Sequence, residues 1–190
     1  MTKLKSQKQL LKDKSPLIIF SGSYASGKTT ALMFKSLSTR SSIVLDLDYR
    51  MINNNMLAND YLKITKYDFN KTTYTLSTKD STVHFFSYEK ANERNIMLGT
   101  KTEFVLFDNF ESVKEDLAKK IFRQVQARAK QIIMFINPVD LRKHSFIRKL
   151  DATIINASLK DNPNIPNDYI KTLTEEYRVP KCFIEGKFDE

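Results

Sequence analysis

The chain has 190 residues, 41% of them hydrophobic, and a formal net charge of +9. That length suits one domain with a substantial core, and no apolar run approaches the roughly 18 residues of a membrane span. One cysteine, Cys182, excludes an internal disulfide and fits a reducing compartment; with His84 and His144 it gives no metal-ligand spacing. The basic N-terminus lacks the apolar stretch of a signal peptide. The charge suits a polyanion such as nucleic acid, and equally plain solubility.

Residues 1–15 carry Lys3, Lys5, Lys8, Lys12 and Lys14 and read as a basic lead-in. Leu4, Leu10 and Leu11 fit one side of a short amphipathic helix; a frayed, solvated segment fits equally well. Pro16 marks the start of the core.

Leu17 to Ser21 is an apolar run, expected as a buried parallel strand. Gly22-Ser23-Tyr24-Ala25-Ser26-Gly27-Lys28-Thr29 comes next and matches the phosphate-loop pattern G-x-x-x-x-G-K-S/T. Thr30 to Leu37 then has apolar residues at helical spacing. Strand, glycine-bounded loop and helix are the context the pattern needs. The chain has four glycines, and two stand at the required positions. Gly22 and Gly27 let the backbone turn tightly and approach phosphate oxygens. The loop N–H groups and the helix N-terminus form an anion cradle. Lys28 is expected to reach the β- and γ-phosphates, and the Thr29 hydroxyl to bind Mg²⁺.

Ile43 to Asp48 reads as a second buried strand, and Arg50 to Lys66 as helical, weakened by Asn53-Asn54-Asn55. Thr72–Ser77 and Thr82–Ser87 read as a β-hairpin, and residues 88–100 as turn and loop. Phe104–Phe107 is a further strand ending in Asp108-Asn109. Residues 111–130 give the clearest helix, with Val113, Leu117, Ile121, Phe122 and Val125 as its stripe. Ile132–Ile136 is a strand closed by Asn137-Pro138; a helix over Leu141–Leu150 leads to a last core strand, Ala152–Asn156. The tail changes character, with Pro163, Pro166 and Pro180 and a helical piece from Asp168 to Tyr177. The alternation predicts an α/β fold, a mainly parallel sheet with helices on both faces and ligands at the carboxyl ends of its strands.

A nucleotide-hydrolysing site needs a strand-ending carboxylate near the metal. Asp108 is one candidate; Asp46 and Asp48 are the other, and would suit a small-molecule kinase. A water-orienting carboxylate is also required. Its natural position, next to Asp108, holds Asn109, which cannot accept a proton; Glu111 lies two residues on and is the candidate substitute. A glutamate that opens a helix is also ordinary dipole chemistry.

In order, these segments resemble the ATPase domain of the large terminase subunit of tailed bacteriophages, in particular its PBSX-like branch. Gly22–Thr29 with Thr30-Ala31-Leu32 resembles that family's Walker A, Thr82–Phe86 the strand before Walker B, and Phe104–Asn109 Walker B. Ile132–Pro138 resembles its coupling segment. Asp161–Pro166, Tyr169-Ile170, Tyr177-Arg178 and Glu185–Phe188 resemble its end-of-domain signature. The resemblance implies an ASCE-type P-loop NTPase in residues 16–160, with 161–190 as a C-terminal extension. It implies ATP hydrolysis with Mg²⁺, double-stranded DNA as partner, a homo-oligomer on a portal ring, a small terminase subunit as possible partner and a place in the cytoplasm of a bacterial host. Asn137 would sense the γ-phosphate. Three departures stand out. Tyr24 replaces an arginine frequent in Walker A, Asn109 occupies the catalytic glutamate position, and the chain stops at Glu190, so no nuclease domain is expected in it. Arg123, Arg128, Arg142 and Arg148 are candidates for a finger to a neighbouring subunit, or solvated helix charges. Two rivals remain: a nucleotide-binding module without turnover, and a small-molecule P-loop kinase.

Overall fold

Leu17–Gly22 forms β1, an apolar strand because it is covered on both faces and flanked on both edges. The computed structural model describes residues 3–23, 25–48, 53, 66–93, 102–138 and 145–187. Around β1 stand β2 (Ser41–Asp46), β3 (Asp68–Asn70), β4 (Thr75–Ser77), β5 (Thr82–Ser87), β6 (Thr102–Asp108), β7 (Ala129–Ile136) and β8 (Thr153–Ala157). The helices are α1 (Lys5–Lys12), α2 (Lys28–Ser36), α3 (Tyr88–Glu93), α4 (Glu115–Gln126), α5 (Ser145–Arg148), α6 (Asn167–Glu175) and α7 (Lys181–Glu185).

The strands make one sheet in the order β3-β4-β5-β2-β6-β7-β1-β8. From β5 to β8 every pairing is parallel; β3 and β4 add an antiparallel edge. The expected hairpin is β4–β5, with Leu76 opposite Val83, and it is built into the sheet because β5 also pairs with β2.

Two cores arise from the alternation of side chains along buried strands. On one face Ile18, Phe20, Val44, Leu106, Ile133 and Phe135 meet Leu10 of α1 and Ala31, Leu32 and Met33 of α2. On the other, Ile19, Leu45, Val105, Phe107 and Met134 meet Ala118, Ile121, Phe122 and Val125 of α4. Each of those α4 side chains contributes about 1.5–3 kcal/mol by leaving water, alanine less.

The lead-in forms a helix docked on the core. Leu10 is fully buried, and Lys35 of α2, itself buried, donates to Leu10 O (3.1 Å) and Asp13 O (3.3 Å) at the end of α1. Burial lowers the Lys35 pKa. The helix expected over 111–130 is shorter. Asn109 takes a left-handed conformation (φ 52°), residues 110–112 form a 3₁₀ turn, Val113 is extended and α4 starts at Glu115. Its end is earlier too, because Ala129 pairs with Thr102 and opens β7. Residues 88–93, expected as loop, are helical: Tyr88 and Ala91, one turn apart, bury themselves against the second core. Most of the helix expected at Arg50–Lys66 lies outside the described residues, as does the start of that at Leu141–Leu150.

Candidate nucleotide site at the strand tips

The loop between β1 and α2 is shaped by two glycines. A Cβ on Gly22 would collide with Ser26 Oγ and stand 3.0 Å from Ala157 Cβ, so this position admits no side chain without rearrangement. Gly27 has φ +84° and caps α2, accepting the Ala31 N–H at 2.9 Å. Ala25 is also left-handed, at φ 60°, whereas Ser26 between them is not. Alternating handedness of this kind turns successive N–H groups to one side, as in anion-binding nests. Tyr24 lies outside the described residues.

The donors a phosphate would use converge inside the loop. Lys28 Nζ donates to Gly22 O and, at 3.0 Å, to Ser23 O. Ser26 donates to the same Ser23 O from its hydroxyl (2.7 Å) and its N–H (3.3 Å). Thr29 and Thr30 are half-buried in the first turn of α2. Two residues distant in sequence brace the loop from outside. Gln7 Nε2 of α1 donates to Gly27 O at 3.2 Å, and Asn162 Nδ2 donates to Ala25 O at 2.7 Å.

The acidic groups come from β2 and β6. Phe20 and Asp108 both stand opposite Phe135 of the intervening β7. Asp108 is therefore two strand spacings, about 10 Å, from the line of β1. Its position in the alternation puts it on the α2 face, with Leu106. Leu45 pairs with Phe107, so Asp46 and Asp108 end adjacent strands side by side. Both are buried. Burial, and then the Asp108 charge, raise the Asp46 pKa to about 7. Asp46 Oδ1 accepts the Leu47 N–H (2.7 Å) and the Asn109 Nδ2 (3.1 Å).

The left-handed turn at Asn109 redirects the chain. It sends the Asn109 amide toward β2 and Phe110 into the core, 4.6 Å from Phe107 between ring centroids. Glu111 then returns to the strand tips. Its carboxyl is buried, and burial pushes its pKa up to about 7, against the Lys28 charge and the N–H groups of Asn137 and of Glu111 itself. The Asp108 charge adds to the rise. Glu111 Oε2 has no hydrogen-bond partner among the described residues. Asn137, directly after β7, is buried at the same end of the sheet. Tyr88 OH donates to Asp108 O at 2.7 Å and fixes that turn from behind.

Phosphates and magnesium suit this donor set. At Gly22 and Gly27 the loop leaves no room for a Cβ, and Glu111, whose buried Oε2 has no hydrogen-bond partner among the described residues, lies within the influence of the Lys28 charge. Among the described residues no three His, Cys, Asp or Glu are grouped to hold a metal alone. Magnesium typically takes one or two protein carboxylates and completes its shell with water and phosphate oxygens. Arg123 is at the far end of α4 and Arg128 just beyond it, away from the strand tips; Arg148 is exposed on α5, and Arg142 lies outside the described residues.

No protein-family model matches the chain, and no curated protein matches it. Solved structures do. The large terminase of a thermophilic bacteriophage superposes with a TM-score of 0.69 at 15% identity, over 99% of this chain and 53% of that one. The complex of the same terminase with ATP-γ-S gives 0.65 at 15% identity, over 98% and 52%. The large terminase ATPase domain of Thermus phage P74-26 gives 0.50 at 10% identity, over 71% and 64%.

The fold is that of a large-terminase ATPase domain. The chain spans about half the length of the first two of these structures. One strand, β7, stands between β1 and β6, and the antiparallel edge β3-β4-β5 contains the hairpin expected from the sequence. Among the described residues no helix is long and apolar enough to cross a membrane. Sequence reasoning gave Gln7 no role and placed Asn162 only in the end-of-domain signature, not at the phosphate loop. Neither belongs to the phosphate-loop pattern, and their partners lie 20 and 137 residues away.

Proposed function

We propose that the chain binds ATP with Mg²⁺ and hydrolyses it as the ATPase domain of a motor that translocates double-stranded DNA. The assembly proposed is a homo-oligomer on a portal ring, with a small terminase subunit as a possible partner, in the cytoplasm of a phage-infected or prophage-carrying bacterium. The observation that carries the reading is Glu111: a buried carboxylate within the influence of the Lys28 charge, with one oxygen unpaired among the described residues.

The residues divide the work between binding and chemistry. Gly22, Ser23, Tyr24, Ala25, Ser26 and Gly27 cradle the phosphates through backbone N–H groups, and Thr30 lies in the first turn of α2, whose N-terminus faces them. Lys28 releases the loop carbonyls and takes phosphate oxygens, concentrating positive charge where the transition state gathers negative charge. Thr29 and Asp108 would hold Mg²⁺, which neutralises the phosphates when bound. Glu111 orients and deprotonates the attacking water, a role its raised pKa suits near neutral pH. Asn137, whose N–H lies against the Glu111 carboxyl, senses the γ-phosphate and passes the state on to the segment after β7. The net charge of +9 favours a polyanionic track.

The test is ATP turnover by the isolated chain with and without double-stranded DNA. DNA-stimulated turnover that disappears in Lys28→Ala and Glu111→Gln supports the reading. Absence of ATP affinity in Mg²⁺ ends it. One rival has an observation in its favour: Asn109, in the usual catalytic position, is engaged with Asp46, which suits a module that binds without turnover. Tight binding with no hydrolysis under any DNA condition would select that rival. A kinase that used Asp46 to bind its acceptor is disfavoured, because Asp46 is buried and bonded to Leu47 and Asn109.

A further inference from the structure

Residues 158–187 form a strap that leaves the end of β8, touches the phosphate loop at Asn162 and returns to the tips of β8 and β1 at Gly186. Ser158 Oγ donates to Ile184 O at 3.2 Å and closes the strap on itself. Its far end is fixed by Gly186, at φ +69°, where a Cβ would stand 2.7 Å from Ala157 O and 2.8 Å from Ser21 O. The strap therefore lies directly against the tips of β8 and β1. Between these anchors, α6 has no buried residue. Among the described residues, Asn162 gives the strap a polar link to the loop.

The Asn162 side chain is fully oriented. Its Oδ1 accepts the Asn164 N–H at 3.1 Å, which leaves Nδ2 to donate to Ala25 O at 2.7 Å. Its backbone is held as well, by Asn162 N–H to Leu159 O and Ile165 N–H to Asn162 O, both 3.1 Å. Ala25 is the residue that needs such a hold. It is not glycine, yet it sits at φ 60°, a conformation that costs an L-residue free energy and persists only when the surroundings impose it. In a trans peptide the C=O and N–H point to opposite sides. Drawing the Ala25 carbonyl outward to Asn162 therefore aims the Ser26 N–H inward, where it lies 3.3 Å from Ser23 O.

We propose that Asn162 is a positioning residue for nucleotide binding: it pins the 25–26 peptide so that the Ser26 N–H faces the phosphate position. The inference rests on the nucleotide reading above. Asn162 makes no contact with the nucleotide itself. It acts through Ala25, and it joins the phosphate loop to the strap that carries α6.

The test is a double-mutant cycle read by titration with a fluorescent ATP analogue in Mg²⁺, alongside the melting temperature of the ligand-free chain. Asn162→Ala is expected to weaken analogue binding about fivefold, the worth of one net hydrogen bond, with the ligand-free melting temperature little changed. Asn162→Asp keeps the shape, loses the donor and should weaken binding at least as much. In an Ala25→Gly background the left-handed conformation is free of strain, so removing Asn162 should cost less than twofold. Wild-type affinity in both Asn162 variants overturns the inference while leaving the nucleotide reading intact. An equal loss with Ala25 present and in the Ala25→Gly background overturns it too, because Asn162 would not then act through Ala25. A wild-type chain with no affinity for the analogue overturns both.

Discussion

The Asn109 amide donates to Asp46 Oδ1 at 3.1 Å and ties the tip of β6 to the tip of β2. Asp46 and Asp108 end neighbouring strands, and their repulsion helps to raise the Asp46 pKa. A neutral donor at 109 offsets that repulsion. Asn109→Asp would bring a third carboxylate to the pair and remove the donor. It is expected to lose about 2 kcal/mol of stability at pH 8 and less at pH 5, measured by urea unfolding. Asn109→Glu does not raise ATP turnover, because the left-handed turn at φ 52° directs this side chain toward β2. A variant with turnover well above wild type would show that 109 is the water-orienting position after all.

Glu111 gives a pH signature. Its folded pKa is raised to about 7 by burial, against an ordinary value of 4.5. Between those two values the folded state binds more protons than the unfolded state, so stability falls as pH rises from about 4.5 to about 7 and then levels off. Glu111→Gln removes this component. In magnesium-free buffer the variant should match wild type near pH 4.5 and exceed it at pH 8 by on the order of 2 kcal/mol, since it no longer buries a charge. The same substitution should reduce turnover at least a hundredfold while ATP binding persists. A variant less stable than wild type at pH 8, with turnover intact, would leave Glu111 a purely structural residue of the turn after β6.

How much was legible in the sequence depends on the range over which each signal acts. The strand–loop–helix that carries the phosphate-loop pattern was legible because its strand, glycines, lysine and helix are contiguous, and the parallel strands because Ile43–Leu45, Phe104–Phe107 and Ile132–Ile136 are short apolar runs covered on both faces. Asp108 and Glu111 could be named as candidates. Their relation could not, because it depends on the left-handed Asn109, and an asparagine tolerates that conformation without demanding it. The partnership of Asn109 with Asp46 required knowing that β2 and β6 are adjacent, across 63 residues. The helix α3 was hidden because six residues show a single buried pair, Tyr88 and Ala91. The lead-in was ambiguous for a similar reason: Leu10 alone supplies the deep contact, and the polar anchors, Gln7 and Lys35, read as surface residues in isolation.

That lead-in yields a third prediction. Leu10 shares a core with Ile18, Leu32 and Phe135, so Leu10→Ala should leave a cavity and cost about 2–4 kcal/mol. The loss should reach the phosphate loop, because α1 also carries Gln7, whose amide holds Gly27 O. Amide hydrogen exchange in residues 25–31 is therefore expected to rise in the variant. A loss below about 0.5 kcal/mol would mean that α1 detaches from the core at little cost.

The last prediction concerns the cradle. At Gly22, an alanine Cβ would collide with Ser26 Oγ and meet Ala157 Cβ at 3.0 Å and Ala157 O at 3.1 Å. Overpacking against buried neighbours of this kind costs about 1–3 kcal/mol. Gly22→Ala should lie at the upper end, since β1 and β8 are paired at this point and cannot separate. Adding Ser26→Ala removes the nearest atom but leaves the Ala157 contacts, and it also deletes the Ser26 hydroxyl bond to Ser23 O. The double variant should therefore recover only part of the stability. ATP affinity should stay low in both, because the displaced loop no longer presents its N–H groups together. Full recovery of stability by Ser26→Ala would show that β8 yields at Ala157 and that the serine hydroxyl alone sets the glycine requirement.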